Sequence, residues 1–354
     1  MRFGMFVLPR YYADAWDSIA QYYQHLLQLM VDGEQLGFTS AWVNEHHFHA
    51  YGGLMAAPPV FLAALATRTS TIRLGTSVAL LSLHHPLEQA EAYAMVDQLS
   101  GGRLDFGVGR GTVRFDYQSL GVPWDEAQER MLENLAIVLQ AWQRQPFSYR
   151  GRFCRVDDVA VWPPPLQIPH PPIWGSATRN PASFAWCGSQ GYHLLTIVHY
   201  QPLDQLAALM QTYREAAVAS GYDLATRRIS THFHVYCAES RAEAYRDGAW
   251  AMQRDSEQTI AAHAQVDHTR VDIRRDPLEE MVASGRLCVG TPDDCAAILA
   301  RARHVGPHRR DLRLRLRWPR RGACAPLVRA VRARGVTPLR GRRRVALARV
   351  RARQ

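Results

Sequence analysis

Four short motifs between residues 45 and 111 indicate the fold of this chain. They read E-H-H-F at residues 45–48, I-R-L-G-T at 72–76, H-H-P-L at 84–87 and S-G-G-R-L-D-F-G-V-G-R-G at 100–111. The polar clusters follow short apolar runs of strand length, and amphipathic segments of helix length separate those runs. This pattern is typical of parallel strands joined by helices, whose C-terminal ends open on one mouth. Histidines, a carboxylate and an arginine are therefore predicted to converge on one pocket, which indicates an enzyme.

Strand-like and helix-like segments alternate along the chain. Predicted strands lie at residues 2–8, 40–43, 72–78, 104–108, 172–175, 193–198 and 229–237, and predicted helices lie at 16–36, 58–68, 86–99, 125–142, from 181, at 203–219, from 241 and at 291–303. Seven βα units are visible, so residues 1–306 are predicted to form an α/β domain, a TIM (β/α)8 barrel. Residues 147–161 resemble a hairpin. Residues 263–287 are polar and irregular, and we expect a mobile insertion there.

The eighth strand should follow Gly306, but the sequence there does not suit a barrel. Residues 307–354 contain 17 arginines and a single acid, Asp311, so their charge is +16 and that of residues 1–306 is −6. Arginine alternates with leucine from residue 312 to residue 317, and a strand packed on both faces cannot bury a cation at every second position. We therefore expect the eighth strand and helix to be disrupted and residues 307–354 to be disordered.

A shift of reading frame would explain this tail. The chain has no lysine among its 42 basic residues, as in proteins from GC-rich genes, where a frame slip yields Arg-, Ala- and Pro-rich sequence. Codons can be chosen for residues 308–319 that read T-D-V-I-C-V-F-D-F-G-G-P one base along, an apolar strand that ends in a glycine turn. Our hypothesis is a frameshift product, and a genuine basic arm is the alternative.

Composition argues against several other classes of protein. No apolar run approaches the roughly 18 residues of a membrane span, and the N-terminus lacks the apolar core and cleavage site of a signal peptide. The six cysteines form no C-x-x-C pair, which suits a reducing cytoplasm. A nucleic-acid-binding protein would depend on the basic tail alone. We therefore expect a cytoplasmic protein without a nucleic-acid or membrane partner.

The chain resembles the bacterial luciferase-like flavin monooxygenase family over residues 2–306. The resemblance rests on E-H-H-F, on H-P-L-x-x-A-E at residues 85–91, on S-G-G-R-L-D-F-G-V-G-R-G and on V-G-T-P-D-D-C at residues 289–295. It implies a TIM barrel that binds reduced FMN supplied by a separate flavin reductase. It also implies reaction with O₂ to a flavin C4a-hydroperoxide that oxidises an organic substrate, and a homodimer formed through the early helices.

The resemblance also implies roles for three residues near the flavin. His46 matches the family histidine that acts as an acid/base group, a task suited to a side chain whose pKa lies near operating pH. His85 matches a second family histidine, and Asp116 matches an aspartate close to the flavin. The competing interpretations are a histidine that only bonds a neighbour and a solvated acid in a loop.

Five further positions match cofactor-binding residues of the family. Arg110 matches an arginine that contacts the FMN phosphate, and a barrel-mouth salt bridge is its alternative. Asn180 and Ser183 match phosphate-binding positions at a helix start, where capping is the alternative. Ser77 and Val78 match a dipeptide that can form a cis peptide bond under the flavin ring.

Alternatives of two kinds stay open. A deazaflavin (F420)-dependent oxidoreductase would keep the fold and exchange the cofactor. A metal hydrolase could use His46, His47 and His49, but the spacing matches no metal motif, and adjacent strand residues point to opposite faces, so no metal site is predicted. The substrate is predicted only to be a hydrophobic organic molecule, because the expected mouth is apolar. Its candidate lining residues are Phe6, Trp42, Phe48, Tyr51 and Trp174.

Overall fold

The computed structural model of the chain describes residues 2–49, 52–267, 276–304 and 310–316. The strands are β1 (Arg2–Val7), β2 (Ser40–Val43), β3 (Arg73–Thr76), β4 (Leu104–Val108), β5 (Phe147–Arg150), β6 (Arg155–Val159), β7 (Ile173–Ser176), β8 (His193–Ile197), β9 (Ile229–Cys237), β10 (Cys288–Gly290) and β11 (Arg310–Leu316). The helices are α1 (Ile19–Gln35), α2 (Pro58–Ala66), α3 (Pro86–Ser100), α4 (Arg114–Ser119), α5 (Ala127–Ala141), α6 (Pro181–Ser189), α7 (Leu203–Ala219), α8 (Arg241–Asp267), α9 (Leu278–Ala283) and α10 (Pro292–His304).

Local sequence explains where several of these helices begin and end. Ser18 caps α1, because its hydroxyl accepts a hydrogen bond from the Gln21 backbone N–H at 3.1 Å. Pro58 and Pro86 open α2 and α3, since the N–H that proline lacks would have no helical partner in the first turn. Gly101 ends α3 in the left-handed conformation that glycine adopts without strain.

Eight parallel strands close into a barrel, which confirms the predicted fold class. The order of the sheet is β10-β9-β11-β1-β2-β3-β4-β7-β8, and β8 also pairs with β9, so the ring is complete. The strand β10 pairs with the end of β9 outside this ring, and β5 with β6 forms the predicted hairpin. Because the ring strands are parallel, the segments after β2, β3, β4 and β7 meet at one mouth.

The expectation of a disrupted eighth strand needs correction. The backbone of β11 lies between β9 and β1 and pairs with both in parallel, with Leu314 in register with Met5 and Phe233. The leucine–arginine alternation has the period of a strand, and β9 and β1 would otherwise present open edges. Residues 317–354, and with them the expected eighth helix and the tail, lie outside the described residues. The frameshift stays a hypothesis, which the gene sequence around the codon for Gly306 would test.

The segment predicted to be an irregular insertion is partly helical. The helix α8 extends to Asp267, and α9 occupies part of the remainder, whereas residues 268–275 lie outside the described range. The short elements α4 and β10 were not predicted, because six and three residues are too few to show a period. Among the described helices, none is long and apolar enough to cross a membrane.

The barrel interior and the surrounding layer form separate apolar clusters. Phe6, Trp42, Trp174 and Leu195 pack together, with Leu8 and Val78 against them, while a larger cluster packs the helices against the strands. Close packing requires glycine at residue 107, where a Cβ would come within 1.9 Å of the Thr76 carbonyl oxygen.

At the end of the barrel opposite the mouth, Arg73 binds Asp105. The Nε and Nη2 atoms of Arg73 donate to the two carboxylate oxygens at 2.8 and 3.0 Å. Burial raises the pKa of the fully buried Asp105, but Arg73 outweighs burial and holds that pKa below its ordinary value of 3.8. The ionised carboxylate therefore joins the starts of β3 and β4.

Replacement of Asp105 tests this junction. We expect Asp105→Asn to lower the free energy of unfolding at pH 7 by about 2 kcal/mol, because the half-buried Arg73 loses its charge-assisted hydrogen bonds to a buried carboxylate. The folded pKa is lowered, so the stabilisation is complete above pH 3.8 and is lost as the pH falls below that value. Urea titrations at several pH values should show the deficit shrinking under acid. Asp204→Asn, at an exposed position, serves as the control, and an equal loss in both variants would contradict the assignment.

Candidate active site

The loop after β2 directs two adjacent histidines to different carboxylates. His46 Nδ1 lies 3.3 Å from Asp116 Oδ2, and His47 Nε2 lies 3.0 Å from Glu45 Oε1. Neighbouring residues of an extended segment point to opposite sides, so the E-H-H-F motif feeds two separate networks. The structure thus brings together His46 and Asp116, which are 70 residues apart in sequence.

Asp116 is the centre of the first network. It lies on α4 with 1% of its surface exposed, and its other oxygen lies 3.1 Å from His49 Nε2. Burial raises the pKa of Asp116, but the hydrogen bonds with His46 and His49 outweigh burial and lower that pKa to about 2. Burial also lowers the pKa of His46 and outweighs the opposing effect of Asp116. An ionised carboxylate only accepts hydrogen bonds, so neutral His46 donates through Nδ1, and Nε2 is its basic nitrogen.

Glu45 is the centre of the second network. It accepts hydrogen bonds from His47, His84 and the Leu80 backbone N–H, the last at 2.9 Å. Burial raises the pKa of Glu45, but these hydrogen bonds outweigh burial and hold that pKa below its ordinary value. Burial lowers the pKa of His84, and Glu45 outweighs burial and raises it. Glu45 therefore connects the loop after β2 to the segment that follows β3.

The segment after β3 contains a cis peptide bond between Ser77 and Val78, at the dipeptide that the resemblance singled out. Val78 packs against the interior aromatic cluster. A Cβ at Gly109 would lie 2.8 Å from Val78 Cγ2 and 3.4 Å from the Cβ of Ser176. The ends of β3, β4 and β7 therefore pack closely at Gly109, where a side chain would collide with Val78.

Arg110 follows Gly109, just after the end of β4. Its guanidinium stacks over the Trp124 ring, 4.4 Å from the centroid, and its backbone carbonyl accepts a hydrogen bond from Tyr117. Among the described residues, no carboxylate forms an ion pair with Arg110, so the predicted alternative of a barrel-mouth salt bridge is not observed there. A forked cation oriented by an aromatic ring is suited to bind a phosphate.

Asn180 and Ser183 lie at the start of α6. Asn180 Oδ1 accepts a hydrogen bond from the Ala182 N–H at 3.0 Å, and the Ser183 N–H donates to the Asn180 carbonyl at the same distance. Asn180 therefore caps the helix, which is the role predicted as the alternative to phosphate binding. Because a helix N-terminus attracts anions, capping does not conflict with a phosphate nearby.

The structure separates His85 from both histidine networks. His85 is exposed at the start of α3, and its Nε2 lies 3.9 Å from Cys154 Sγ. The preceding residue, His84, bonds Glu45 instead. The sequence motifs gave no role to His84, and His49 was considered only as a metal ligand. Their positions, beside His85 and within the 45–49 loop, were the signals for them. His85 stays a prediction from the resemblance.

The candidate lining residues also differ in position. Trp42 and Trp174 are fully buried, with ring centroids 5.2 Å apart, so they fill the barrel rather than line its mouth. Phe48 is 60% exposed. Tyr51 lies outside the described residues.

The histidine networks also have the composition of metal sites. Glu45, His47 and His84 form one group of possible ligands within 4.8 Å of one another, and a second group contains His46, His49 and Asp116. The metal-hydrolase alternative required His46, His47 and His49 in one site, and the structure divides them between two groups.

Known proteins share this fold and sequence pattern. A family model described as luciferase-like monooxygenase matches residues 1–309. The oxygenase component of flavin-dependent trigonelline monooxygenase from Acinetobacter baylyi is 29% identical over 69% of this chain and 67% of its own length. The crystal structure of monooxygenase RslO1 from Streptomyces bottropensis has a TM-score of 0.84 at 29% identity, over 94% of this chain and 97% of that one.

A third protein shares the fold alone. It is an F420-dependent secondary alcohol dehydrogenase in complex with an F420-acetone adduct, with a TM-score of 0.72 at 17% identity, over 94% of this chain and 98% of that one. The family model covers most of the chain, so it confirms the resemblance drawn from the sequence motifs. The chain belongs to the luciferase-like monooxygenase family.

Proposed function

We propose that the protein is a flavin-dependent monooxygenase that uses reduced FMN and O₂ to oxidise a hydrophobic organic substrate. The observation that carries this proposal is the His46–Asp116 pair, which lies at the barrel mouth together with Gly109 and Arg110. Reduced FMN, when bound, supplies the electrons that activate O₂. A separate flavin reductase would provide it, as the phrase "oxygenase component" implies for the trigonelline enzyme.

The residues present fit such a cofactor. Arg110 would hold the phosphate together with the N-terminus of α6, where Asn180 and Ser183 lie. Ser77, Val78 and Gly109 would lie against the flat ring, because they follow β3 and β4 at the mouth and Gly109 packs directly on Val78. The interior cluster behind Val78 excludes water from this side of the site.

His46 would act as the acid/base group of the reaction. Its pKa is lowered by burial, so it is neutral near pH 7 and can accept a proton at Nε2. Asp116 orients the ring by accepting the Nδ1 hydrogen, and His49 shares that carboxylate. Glu45 holds the same loop against the segment after Ser77 and Val78 and so positions His46 relative to the cofactor.

A deazaflavin-dependent oxidoreductase is the second candidate, because the F420-dependent dehydrogenase shares the fold. Parallel titrations with FMN and F420 distinguish the two candidates. Tighter binding of F420 would overturn the assignment of FMN.

We also propose a cytoplasmic homodimer formed through α2 and α3. These helices pack together and expose Val60 and Met95, which are 72% and 52% exposed. A monomeric mass by light scattering would contradict the dimer.

Replacement of His46 tests the acid/base role. We expect His46→Ala to leave FMN affinity within about twofold while turnover falls roughly 10²–10⁴-fold, because the proton acceptor is lost. Substrate-dependent O₂ consumption under excess reduced FMN measures turnover. His170→Ala, on the loop before β7, is the matched control. Wild-type turnover in His46→Ala would remove His46 from the reaction.

Replacement of Arg110 tests the phosphate site. We expect Arg110→Ala to weaken FMN about 10- to 100-fold and to change riboflavin binding little, because riboflavin lacks the phosphate that a charge-assisted hydrogen bond would hold. Fluorescence titration with both flavins measures the difference, and Arg68→Ala, on the loop after α2, provides the control. Equal weakening of both flavins would assign Arg110 to barrel structure instead.

A further inference from the structure

A cavity opens at the C-terminal end of β1, between α1 and α8. It offers about 130 Å³ of internal space, and its mouth is open to solvent. Its walls combine aromatic and aliphatic side chains with two arginines. The lining includes Phe6, Leu8, Tyr12, Trp16, Trp250 and Arg254.

The inner end of this cavity adjoins the candidate active site. A Cβ at Gly52 would lie 2.4 Å from Leu8 Cδ1 and 2.9 Å from His46 Cδ2, so Leu8 and the His46 ring border the same corner. Phe6 and Leu8 also belong to the interior cluster that includes Val78. The cavity is therefore separated from the His46 ring and from Val78 only by the side chains of Phe6 and Leu8, which line it.

The cavity offers aromatic surface in a partly fixed arrangement. The Trp16 ring packs against Tyr22 and His25, with centroids 5.1 and 4.6 Å apart, so its orientation is set. Trp250 is 46% exposed on α8 and stacks against the Arg254 guanidinium at 5.1 Å. A half-exposed tryptophan at the edge of an apolar cavity has surface available for a ring compound.

The charges around the cavity are balanced within the protein. Arg10 pairs with Asp255 at 2.5 Å, and both side chains are buried. Arg254 pairs with Asp14 at 2.9 Å. Because the Arg10–Asp255 pair is buried, a charged ligand that reached it would lose its hydration and have to compete with a carboxylate in place, and both costs disfavour it. An uncharged molecule meets neither cost.

We propose that this cavity is the substrate site and that it takes an uncharged ring compound, with Trp250 as a specificity-determining residue. That the bound compound is the substrate rests on the proposed function. Binding to the cavity itself can be measured without turnover. It would bring a neutral ring from solvent to the vicinity of His46, where oxidation would take place.

A matched pair of probes tests the cavity. Equilibrium dialysis of the full chain compares methyl 2-naphthoate, which is neutral, with 2-naphthoate, which carries a carboxylate on the same ring system. We expect the ester to bind at least about tenfold more tightly than the acid, because the buried cation of the cavity, Arg10, is already paired with Asp255. Equal or tighter binding of the acid would overturn the assignment of an uncharged ligand.

Variants locate the bound probe. We expect Trp250→Ala to weaken the ester about tenfold through loss of ring contact, and Ala251→Phe to weaken it similarly by filling the space. Trp162→Ala, at an exposed tryptophan on the connector before β7, should change nothing. Binding that is insensitive to both cavity variants, or absent from the wild-type chain, would overturn the site.

FMN titration of the same variants separates this inference from the proposed function. Unchanged FMN affinity together with weaker ester binding supports a distinct substrate site. If the wild-type chain binds neither FMN nor F420, the proposed flavin chemistry fails, while the ester measurements still decide whether the cavity binds neutral rings.

Discussion

Two buried carboxylates, each bonded to two histidines, hold the mouth of this barrel in one conformation. A carboxylate removed from water costs several kcal/mol unless hydrogen bonds compensate it. Asp116 and Glu45 satisfy that requirement with histidines from the loop after β2, and Glu45 adds His84 and a backbone N–H from the segment after β3. A shift of either loop would leave a buried carboxylate without its hydrogen-bond partners. The proposed acid/base group and the residues that would hold the cofactor are therefore fixed in position.

The alternation of side chains along an extended chain explains why the two networks remain separate. His46 and His47 are neighbours in sequence but face opposite sides, so one histidine serves the proposed proton transfer and the other anchors the loop. Their carboxylate partners also differ in origin, because Asp116 comes from a helix 70 residues later and Glu45 from the same motif. Asp116 thus orients His46, whereas Glu45 and His47 hold the loop that carries it.

The positions of the strands, and the meeting of their C-terminal ends at one mouth, could be predicted from the sequence more fully than the contacts within the site. The bounds of β2, β4, β9 and α7 follow from apolar runs and agree with the structure. The resemblance implied that His46 and Asp116 both lie near the flavin, and the structure shows the two side chains in contact. The contacts of His49 with Asp116 and of His84 with Glu45 were missed, because a histidine in a loop has no periodic signal and its partner is set by tertiary packing. The interpretation of β11 was wrong because it weighed the burial of arginine above the open edges of β1 and β9, and backbone pairing prevailed.

The position of β11 has a consequence for biosynthesis. One edge of β1 can pair with β2 once residues 40–43 have been synthesised, but its other edge can pair only after residues 310–316 have been synthesised. The Arg10–Asp255 pair joins residues 245 positions apart and must also wait. During translation, the first strand therefore presents an unpaired parallel edge and an uncovered apolar wall for most of the time that the ribosome needs to complete the chain. Such contacts of large sequence separation form slowly, and exposed edges invite association with other chains. A nascent chain of this protein is expected to depend on chaperones until its last strand emerges.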